Sequence, residues 1–417
     1  MKLKRVVITG LGAVTPIGNN VPDYWNGLIT GVNGANLITH FDTESYKTKF
    51  ACELKNFDIS NYIDSKDARK MDPGAHYAMV ASMEAVADSG IDLEKINLNR
   101  VGVILGSGIG GMHTFSEGFR DFFKQDQNPR FISPFFIPKV LGDIIPGLIS
   151  IKYGFKGPNY STTAACASSA NAITDACHFI QLGKADVMLT GGSEACIVDA
   201  AMGGFIAMHA LSTRNDDYLT ASRPFDVGRD GFVMGEGSGS LILEEYEHAK
   251  ARGAKIYGEI IGSGLSADAH HITSPHPNGE GAYNSMKLAI EDAEISITDI
   301  DHINTHGTST PMGDISECKA IDNLFGKHAE NIIINSTKSM TGHLLGAAAA
   351  IESIATILAL KEGIIPPTIN QFERSPEINP SWNLAANKAV KKDIRVAICN
   401  SFGFGGHNVS LLFKKIE

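Results

Sequence analysis

Short runs of β-branched and other apolar residues recur along the chain, and segments with a helical spacing of apolar positions separate them. The runs are Val6 to Thr9, Val101 to Leu105, Val187 to Thr190, Leu241 to Leu243, Ile256 to Ile261, Ile332 to Ile334, Val396 to Ile398 and Val409 to Phe413. Residues of this kind favour strands. Strands that alternate with helices predict an α/β protein built on a sheet.

Between these strands, most helices are predicted to cover one face of the sheet. Apolar residues from Ala75 to Ala87 keep a spacing of three to four and stop at Gly90. Met286 to Ala293 follows the same rule. Such amphipathic helices bury one side and expose the other.

Two further segments, Ala164 to Ala176 and Gly346 to Leu360, are small or apolar on almost every side. A helix of this composition is buried all round, and its small residues let backbones approach closely, as between two sheets. Each segment follows a Ser/Thr-rich stretch, and the two segments occupy similar positions within their halves of the sequence. We therefore interpret the chain as an internal duplication with a boundary near residues 250–256. No low-complexity linker separates the halves, so we expect them to share one body.

The composition is that of a folded, acidic protein. Of 417 residues, 43% are hydrophobic and 20% are charged, and the formal net charge is −10. A chain this apolar buries a large core, and its acidic balance argues against a nucleic-acid partner. No apolar stretch approaches the roughly 18 residues of a membrane span, so we expect no membrane partner and a cytoplasmic location. The six cysteines show no paired spacing, which argues against disulfides.

Cys166, in the segment STTAACASSAN, stands where a polar loop is predicted to enter the first buried helix. The N-terminal end of a helix carries partial positive charge and free N–H groups. We therefore expect the pKa of this thiol to be lowered and its thiolate to act as a nucleophile. A small core cysteine is the alternative, and it is the better interpretation for Cys177, Cys196 and Cys399 in their apolar contexts.

Two histidines, His306 in NTHGTSTPMGD and His343 in STKSMTGHLLG, lie in Gly/Thr-rich loops after predicted strands. Enzymes with α/β folds place their active sites at such strand ends. Together with Cys166 they form a set suited to covalent catalysis by the cysteine. A zinc site uses the same residue types, but no pair has the close spacing of a metal motif.

Two glycine-rich loops follow other strands. Gly106, Gly108 and Gly111 in GSGIGG fit the dinucleotide pattern GxGxxG, which leaves a nicotinamide-dependent oxidoreductase as a remote alternative. That alternative also needs a strand ending in an acidic residue about 20 residues later, and FRDFFKQDQNPRF resembles no such strand. The loop from Asn400 to Asn408, NSFGFGGHN, offers backbone N–H groups for an oxyanion hole.

Ordered motifs along the whole chain resemble the β-ketoacyl-[acyl carrier protein] synthases, the condensing enzymes that extend fatty acids. These motifs are VVITGLGAVTPIG, ACASSA, GGSEA, RPFD with GRDGFVMGEG, HGTSTPMGD, STKSMTGHLLGAAAAIE and NSFGFGG. ARKMD at Ala68–Asp72 and SPFFIPK at Ser133–Lys139 resemble the type II elongating branch. The initiating synthases carry Asn where His343 stands, and thiolases carry a second catalytic Cys. Type I elongating synthases and polyketide-type ketosynthases remain the alternatives.

The resemblance implies a thiolase-like α/β fold, layered α-β-α-β-α with two buried central helices. It implies an N-terminal half, residues 1–252, that carries the nucleophile Cys, and a C-terminal half, residues 253–417, that carries the two His. The implied reaction is a ping-pong decarboxylative Claisen condensation, in which a Cys-bound acyl group joins malonyl-[acyl carrier protein] and grows by two carbons. No cofactor is required, because phosphopantetheine arrives on the carrier protein.

Roles carried over by motif fall into three groups. The resemblance implies catalysis by Cys166 as the acyl acceptor, His306 and His343 as the pair that promotes decarboxylation, Lys338 as their electrostatic support, and Phe404 as gate and oxyanion donor. It implies substrate binding by Thr308, Thr310, Ile109, Phe205, Phe135, Phe136 and Phe402. It implies structural support by Glu352, Asp314 and Glu317, and a structural cation near Asn304, Glu352 and Asn400.

The implied partners are an acyl carrier protein with its acyl and malonyl thioesters, and a second copy of the chain. Carrier proteins of this pathway are acidic, so docking on a chain of net charge −10 requires a local basic patch. The candidates are Lys66, Arg69, Lys70, Arg130 and Arg214. In the homodimer, Phe135 and Phe136 are expected to reach across the interface.

Overall fold

Strands and helices alternate along residues 3–416, the part of the chain that the computed structural model describes. The strands are β1 (Val6–Val14), β2 (Asn36–Leu37), β3 (Phe50–Ala51), β4 (Val101–Gly106), β5 (Asn159–Thr162), β6 (Val187–Glu194), β7 (Gly237–Glu245), β8 (Gly258–Ala267), β9 (His302–Asn304), β10 (Ile333–Asn335), β11 (Ile364–Ile365), β12 (Val390–Lys391), β13 (Val396–Gly403) and β14 (His407–Lys414). The helices are α1 (Val21–Thr30), α2 (Ser65–Ala68), α3 (Pro73–Ser89), α4 (Met112–Lys124), α5 (Phe136–Val140), α6 (Ile144–Tyr153), α7 (Ser168–Gln181), α8 (Asp199–Ala207), α9 (Tyr246–Ala251), α10 (Glu280–Asp292), α11 (Pro311–Phe325), α12 (Lys338–Thr341) and α13 (Ala348–Glu362).

The main sheet of the described chain has ten strands, and its second half repeats the strand order of the first. The order is β10-β9-β13-β14-β8-β1-β7-β6-β4-β5. Counted outward from the centre, β1, β7, β6, β4 and β5 correspond to β8, β14, β13, β9 and β10, with the same strand directions in both halves. The two halves join where β1 pairs antiparallel with β8. The predicted internal duplication is therefore present in the topology.

Helices α7 and α13 form the middle layer of the molecule. Each packs against strands from both halves, α7 against β4, β6 and β14 and α13 against β7, β13 and β14. On the outside, α3 covers β1 and β7, and α10 covers β8 and β14. These contacts give the predicted α-β-α-β-α layering with two buried central helices.

Close approach of backbones explains the small residues around the middle layer. A Cβ on Gly106 would lie 2.4 Å from the backbone of Ser168 in α7. A Cβ on Gly239 would lie 2.9 Å from the backbone of Ala350 in α13. Since real Cβ atoms do not approach so closely, only glycine lets strand and helix meet here.

Some predicted boundaries are wrong, and each error has a local cause. The first central helix begins at Ser168 rather than Ala164, because a tight turn with Ala165 at φ +48° precedes it. The second begins at Ala348, after a 3₁₀ turn at Leu345–Ala347. Strands β5 and β9 were not predicted, since Asn159–Thr162 is polar throughout and β9 has only three residues.

The predicted division after residue 252 falls between α9 and β8, within a body whose sheet runs through both halves. None of the helices in residues 3–416 has the length and apolarity needed to cross a membrane.

Candidate active site

A cavity of about 360 Å³ lies at strand ends from both halves of the chain. Its walls include the predicted residues Cys166, His306, His343, Thr308, Thr310, Phe402 and Phe404. The cysteine follows β5 in the first half, whereas the histidines follow β9 and β10 in the second. The fold thus brings the candidate nucleophile and the candidate imidazoles to one place.

Cys166 lies in a tight turn between β5 and α7. Ala165 adopts φ +48°, a left-handed conformation that is strained for a residue with a Cβ. The Ser168 hydroxyl stabilises the turn, because it accepts the N–H of Ala164 at 2.9 Å and donates to the carbonyl of Ala165 at 2.6 Å. The Cys166 side chain is 6% exposed and faces the cavity.

Burial raises the pKa of the Cys166 thiol to about 12. The charge of Lys338 and the backbone N–H groups of Phe404 and Cys166 lower this pKa, but by less than burial raises it. The predicted lowering of the pKa is therefore wrong, because a thiolate loses more hydration here than the nearby helix end restores. The candidate nucleophile is therefore a neutral thiol, and it would have to lose its proton in order to attack a substrate.

The two predicted histidines lie side by side against the thiol. Nε2 of His343 is 3.1 Å from Sγ of Cys166. The ring centroids of His306 and His343 are 5.2 Å apart, and the rings are nearly perpendicular. Burial, reinforced by the positive charge of Lys338, holds the pKa of both imidazoles well below the usual value. Both rings are therefore neutral at physiological pH.

Lys338 is held in the core by Glu352. Their ammonium and carboxylate groups form an ion pair, and both side chains are only 1% exposed. Burial raises the pKa of Glu352 to about 7, although the neighbouring ammonium opposes this rise. The same ammonium lowers the pKa of Cys166, His306 and His343. The ammonium of this pair thus acts on the cysteine and on both histidines.

Two buried carboxylates on α11 hold the loop that carries His306. Glu317 accepts the N–H of His306 at 3.0 Å and that of Gly307 at 2.9 Å. Asp314 accepts the N–H of Ser309 at 3.1 Å, where the backbone has a strained φ of +70°. Burial raises the pKa of Glu317 to about 7 and that of Asp314 to about 6. These contacts give both residues the geometry of a supporting role.

The backbone N–H groups of Phe404 and Cys166 are close enough to the Cys166 sulfur to lower the pKa of its thiol. Phe404 leads into a glycine turn in which Gly405 and Gly406 have φ +85° and +76°. Donors that converge on the nucleophile in this way also face the oxygen of a tetrahedral intermediate formed on it.

Thr308 and Thr310 place two hydroxyl groups in the cavity wall, 3.2 Å apart. Thr310 is also the N-cap of α11 and accepts the N–H of Gly313 at 3.2 Å. Both hydroxyls therefore have fixed positions.

The remaining predicted substrate-binding residues do not line this cavity. Ile109 is 45% exposed, in the loop before α4. Phe205 packs against Phe232, with ring centroids 5.7 Å apart. Phe135 is 40% exposed, and Phe136 packs on the phenylalanines of α4. Their contact with an acyl chain stays a prediction.

The candidate docking residues differ in their availability. Lys66, Arg69, Lys70 and Arg130 are exposed. Arg214 is half-buried and donates to the carbonyl of Gly228 at 2.9 Å, which makes it a weaker candidate.

The proposed cation position is only partly consistent with its three residues. Asn304 Oδ1 and Glu352 Oε2 are buried and have no hydrogen-bond partner among residues 3–416. Asn400 Oδ1 already accepts the hydroxyl of Ser410 at 2.8 Å. Two of the three side-chain oxygens therefore lack a partner and could bind a cation, whereas the third is already hydrogen-bonded to Ser410.

The loop that suggested a dinucleotide site is filled by a carboxylate. Glu194 accepts the N–H groups of Gly108 at 2.7 Å and Ile109 at 3.3 Å. A pyrophosphate would need these donors, so this geometry argues against the oxidoreductase alternative.

Sequence reasoning assigned no role to Phe232 and Leu345, which belong to the site, or to Glu194, which holds two loops beside it. An acidic residue at the end of a buried strand was the available signal for Glu194. Phe232 and Leu345 line the cavity, but an apolar residue type does not distinguish a cavity wall from ordinary core.

Comparison with known proteins identifies the family. Residues 3–249 match the family described as Beta-ketoacyl synthase, N-terminal domain, and residues 257–372 match Beta-ketoacyl synthase, C-terminal domain. The chain belongs to the β-ketoacyl synthase family. The predicted family and thiolase-like fold are thus confirmed.

Several β-ketoacyl synthases resemble this one over their full length. The 3-oxoacyl-[acyl-carrier-protein] synthase 2 of Staphylococcus aureus (strain COL) is 50% identical over 414 residues, which cover 99% of each chain. The protein of the same name from Synechocystis is 48% identical over 417 residues, which cover 100% of this chain and 99% of the relative. A type II polyketide ketosynthase, solved in complex with its acyl-carrier protein, superposes with a TM-score of 0.92 at 32% identity and full coverage of both chains.

The raised pKa of Cys166 predicts how its alkylation depends on pH. Between pH 6 and pH 9 we expect the rate of iodoacetamide labelling at Cys166 to rise about tenfold per pH unit without a plateau, because the thiolate fraction grows throughout this range. Mass spectrometry of the Cys166 peptide measures the rate.

The same peptide in the denaturant-unfolded chain serves as the control and should begin to level off near pH 8.5. A plateau near pH 7 in the folded enzyme would contradict the effect of burial described here.

Proposed function

We propose that this β-ketoacyl synthase elongates fatty acyl chains of type II synthesis by two carbons. The observation that carries the proposal is the contact of 3.1 Å between Sγ of Cys166 and Nε2 of His343, beside a second neutral imidazole. The names of the fatty-acid relatives support this substrate class. A polyketide ketosynthase is the second candidate, favoured by the similar polyketide structure.

In the first half-reaction, Cys166 attacks the carbonyl carbon of an acyl thioester on the carrier. The C–S bond to Cys166 forms, and the carbonyl oxygen becomes an oxyanion held by the N–H groups of Cys166 and Phe404. The thiol proton leaves as this bond forms, and His343 is within reach to relay it. When the oxyanion collapses, the pantetheine sulfur departs with that proton.

In the second half-reaction, malonyl thioester loses CO₂. The electron pair of the broken C–C bond moves into an enolate, whose oxygen accepts hydrogen bonds from His306 and His343. Neutral imidazoles suit this task, because they donate without a metal ion or full charge. The enolate carbon then attacks the acyl carbonyl, the bond to Cys166 breaks, and one proton from solvent restores the thiol.

The substrate chain is proposed to reach the thiol on phosphopantetheine, so the enzyme needs no cofactor of its own. The hydroxyls of Thr308 and Thr310, fixed in the cavity wall, offer hydrogen bonds to its amides. Phe404 and Phe402 flank the path to Cys166.

We propose in addition that a cation binds beside Asn304 and Glu352. The two unpaired buried oxygens of these residues support it. Burial of a polar atom without a partner is costly, and a cation would satisfy both oxygens. Its role there would be structural.

The assay uses acyl and malonyl carrier proteins, with mass analysis of both protein and products. Wild type should gain an acyl adduct at Cys166 and release the 3-oxoacyl product. Cys166→Gln should lose condensation but keep malonyl decarboxylation. His343→Ala should slow decarboxylation about 10²–10³-fold, because removal of one oxyanion donor costs this much in other enzymes.

Unchanged decarboxylation in His343→Ala would refute the role of that imidazole. An acyl adduct on another residue, with synthesis intact, would refute the role of Cys166.

An acyl carrier protein is the proposed partner, since the related polyketide ketosynthase is bound to one. Lys66 and Arg69 are the exposed candidates on and beside α2. Opposite charges steer such encounters over a Debye length of about 8–10 Å, so the net charge of −10 does not prevent docking.

Lys66→Glu with Arg69→Glu should raise the apparent KM for carrier-bound substrates about tenfold and leave short-thiol analogues unaffected, because only the carrier contacts this patch. Steady-state kinetics with both substrate forms measures this. Lys95→Glu with Lys287→Glu makes the same charge change elsewhere and should alter neither KM. Equal effects on both substrate forms would exclude a docking role.

A homodimer is proposed from two features on one side of the molecule. Strand β5 is the outer strand of the described sheet and is hydrogen-bonded to a neighbour on one side only. A nearby surface carries exposed apolar side chains on and around α4 and α5, namely Phe115, Phe119, Phe123, Phe131, Ile132, Phe135, Ile137 and Leu141. A cluster of exposed apolar side chains is typical of an interaction site, and an open strand edge invites pairing. A two-fold axis through β5 would cover both.

Phe123→Asp with Ile137→Asp should convert the dimer to a monomer at micromolar concentration, because buried charges destabilise an apolar interface. Both side chains are more than 60% exposed in the single chain, so the fold should persist. Light scattering measures the mass. Leu288→Asp on α10 is the control and should stay dimeric; a monomeric wild type would contradict the proposal.

A further inference from the structure

Glu194 is a fully buried carboxylate that the proposed chemistry does not use. It is the last residue of β6, is 1% exposed and does not line the catalytic cavity. Among residues 3–416 no cationic side chain forms a salt bridge with it. Burial raises its pKa, and backbone hydrogen bonds oppose this rise. A buried charge without an ionic partner is costly, so its contacts must compensate.

One set of contacts leads to the loop between β4 and α4. Glu194 Oε2 accepts the N–H of Gly108 at 2.7 Å, and Oε1 accepts the N–H of Ile109 at 3.3 Å. This loop lies against the nucleophile turn, because the hydroxyl of Thr163 donates to the carbonyl of Ser107 at 3.1 Å. Glu194 therefore fixes the backbone that orients the Ile109 side chain.

The other contact leads to the turn that follows the second catalytic histidine. Oε2 of Glu194 also accepts the N–H of Gly346 at 3.0 Å. Leu345, the preceding residue, has a strained φ of +47° and lines the catalytic cavity. One carboxylate oxygen thus joins the Ile109 loop to the turn that begins at His343.

The glycines at both contacts leave no room for a Cβ. The carboxylate is the nearest group to a Cβ on Gly108, whereas the backbone nitrogen of Gly108, at 2.3 Å, is the nearest atom to a Cβ on Gly346. A Cβ on Gly108 would lie 2.7 Å from Oε2 of Glu194, and a Cβ on Gly346 would lie 2.6 Å from the same atom. Neither glycine has a positive φ in the left-handed range. Their small size, rather than their backbone freedom, is what the site uses.

We infer that Glu194 is a positioning residue for acyl-chain selection, which sets the Ile109 loop relative to the Leu345 turn through one shared carboxylate. The inference rests on the proposed function. It also rests on the predicted contact of Ile109 with an acyl chain whose thioester lies at Cys166. A rigid link between the Ile109 loop and the cavity wall at Leu345 would fix the distance between them, and with it the space available to the chain.

Glu194→Gln weakens the link at its Ile109 end with almost no change in volume. We expect the amide oxygen of the glutamine to take the place of Oε2 and to accept the N–H groups of Gly108 and Gly346. Its NH₂ group then takes the place of Oε1, where it can donate to the Ser107 hydroxyl or the Cys196 sulfur. The N–H of Ile109 then loses its acceptor. The Ile109 loop should loosen while the turn after the histidine stays in place.

We expect acylation of the cysteine by the preferred carrier-bound chain to slow about tenfold, and the dependence of acylation on chain length to flatten. Malonyl decarboxylation, measured in the Cys166→Gln background with and without Glu194→Gln, should stay within twofold. A general structural defect would lower both activities together, so this split separates positioning from stability.

Glu84→Gln is the matched control. Glu84 also accepts two backbone N–H groups, those of Ala13 at 2.9 Å and Val21 at 2.8 Å, but does not line the cavity. The Glu84→Gln variant should leave the dependence of acylation on acyl-chain length unchanged. If Glu194→Gln fails to fold, Gly108→Ala provides the second variant, because its Cβ would displace the same carboxylate and flatten the same profile.

An unchanged chain-length profile in the folded variants, or an equal loss of acylation and decarboxylation, would overturn the inference. Failure of the wild type to form an acyl-cysteine would instead refute the proposed function, so the two outcomes are distinguishable.

Discussion

The buried ion pair of Lys338 and Glu352 sets the electrostatics on which the whole site depends. A single ammonium group in a low-dielectric interior acts strongly on its neighbours, and here it lowers the pKa of the thiol and of both imidazoles. It thereby eases loss of the Cys166 proton, and it adds to the effect of burial, which is the larger reason that both histidines are neutral. Burying such a charge is costly unless it is paired, and the carboxylate of Glu352 on the central helix α13 supplies that pairing.

Strained backbone accompanies the proposed catalytic groups. Ala165 precedes the nucleophile, and Ser309 and Leu345 follow the two histidines, and all three have positive φ without being glycine. Such conformations cost about 1–3 kcal/mol each and persist only where the surroundings impose them. The packed middle layer provides those surroundings, because α7 and α13 are held between strands of both halves.

Buried carboxylates hold the backbone of three loops around the site. Glu317 and Asp314 accept backbone N–H groups of the His306 loop, and Glu194 accepts those of the Ile109 loop and the Leu345 turn. Each replaces the regular hydrogen bonds that a loop lacks. Loops at strand ends gain fixed positions in this way while their side chains remain free to face the cavity.

Much of this was determined by the sequence itself. Apolar runs and helical spacing predicted the main strands and both central helices, since burial against a sheet leaves a periodic pattern. The set of Cys166, His306 and His343 was predicted because nucleophile and imidazoles stood in polar loops after strands. The resemblance to the β-ketoacyl synthases added Lys338 and Glu317 to the predicted site, because no pattern in the sequence around these residues indicates a role.

Tertiary structure alone decided the rest. The polar strand β5 and the short strand β9 exist only through pairing with their neighbours. The sequence predicted a lowered pKa for Cys166, whereas the pKa is raised in the structure. The prediction failed because desolvation depends on atoms from distant segments rather than on the adjacent helix end. Glu194 was missed for the same reason, since its two contact loops lie 85 or more positions away in sequence and meet only in the folded chain.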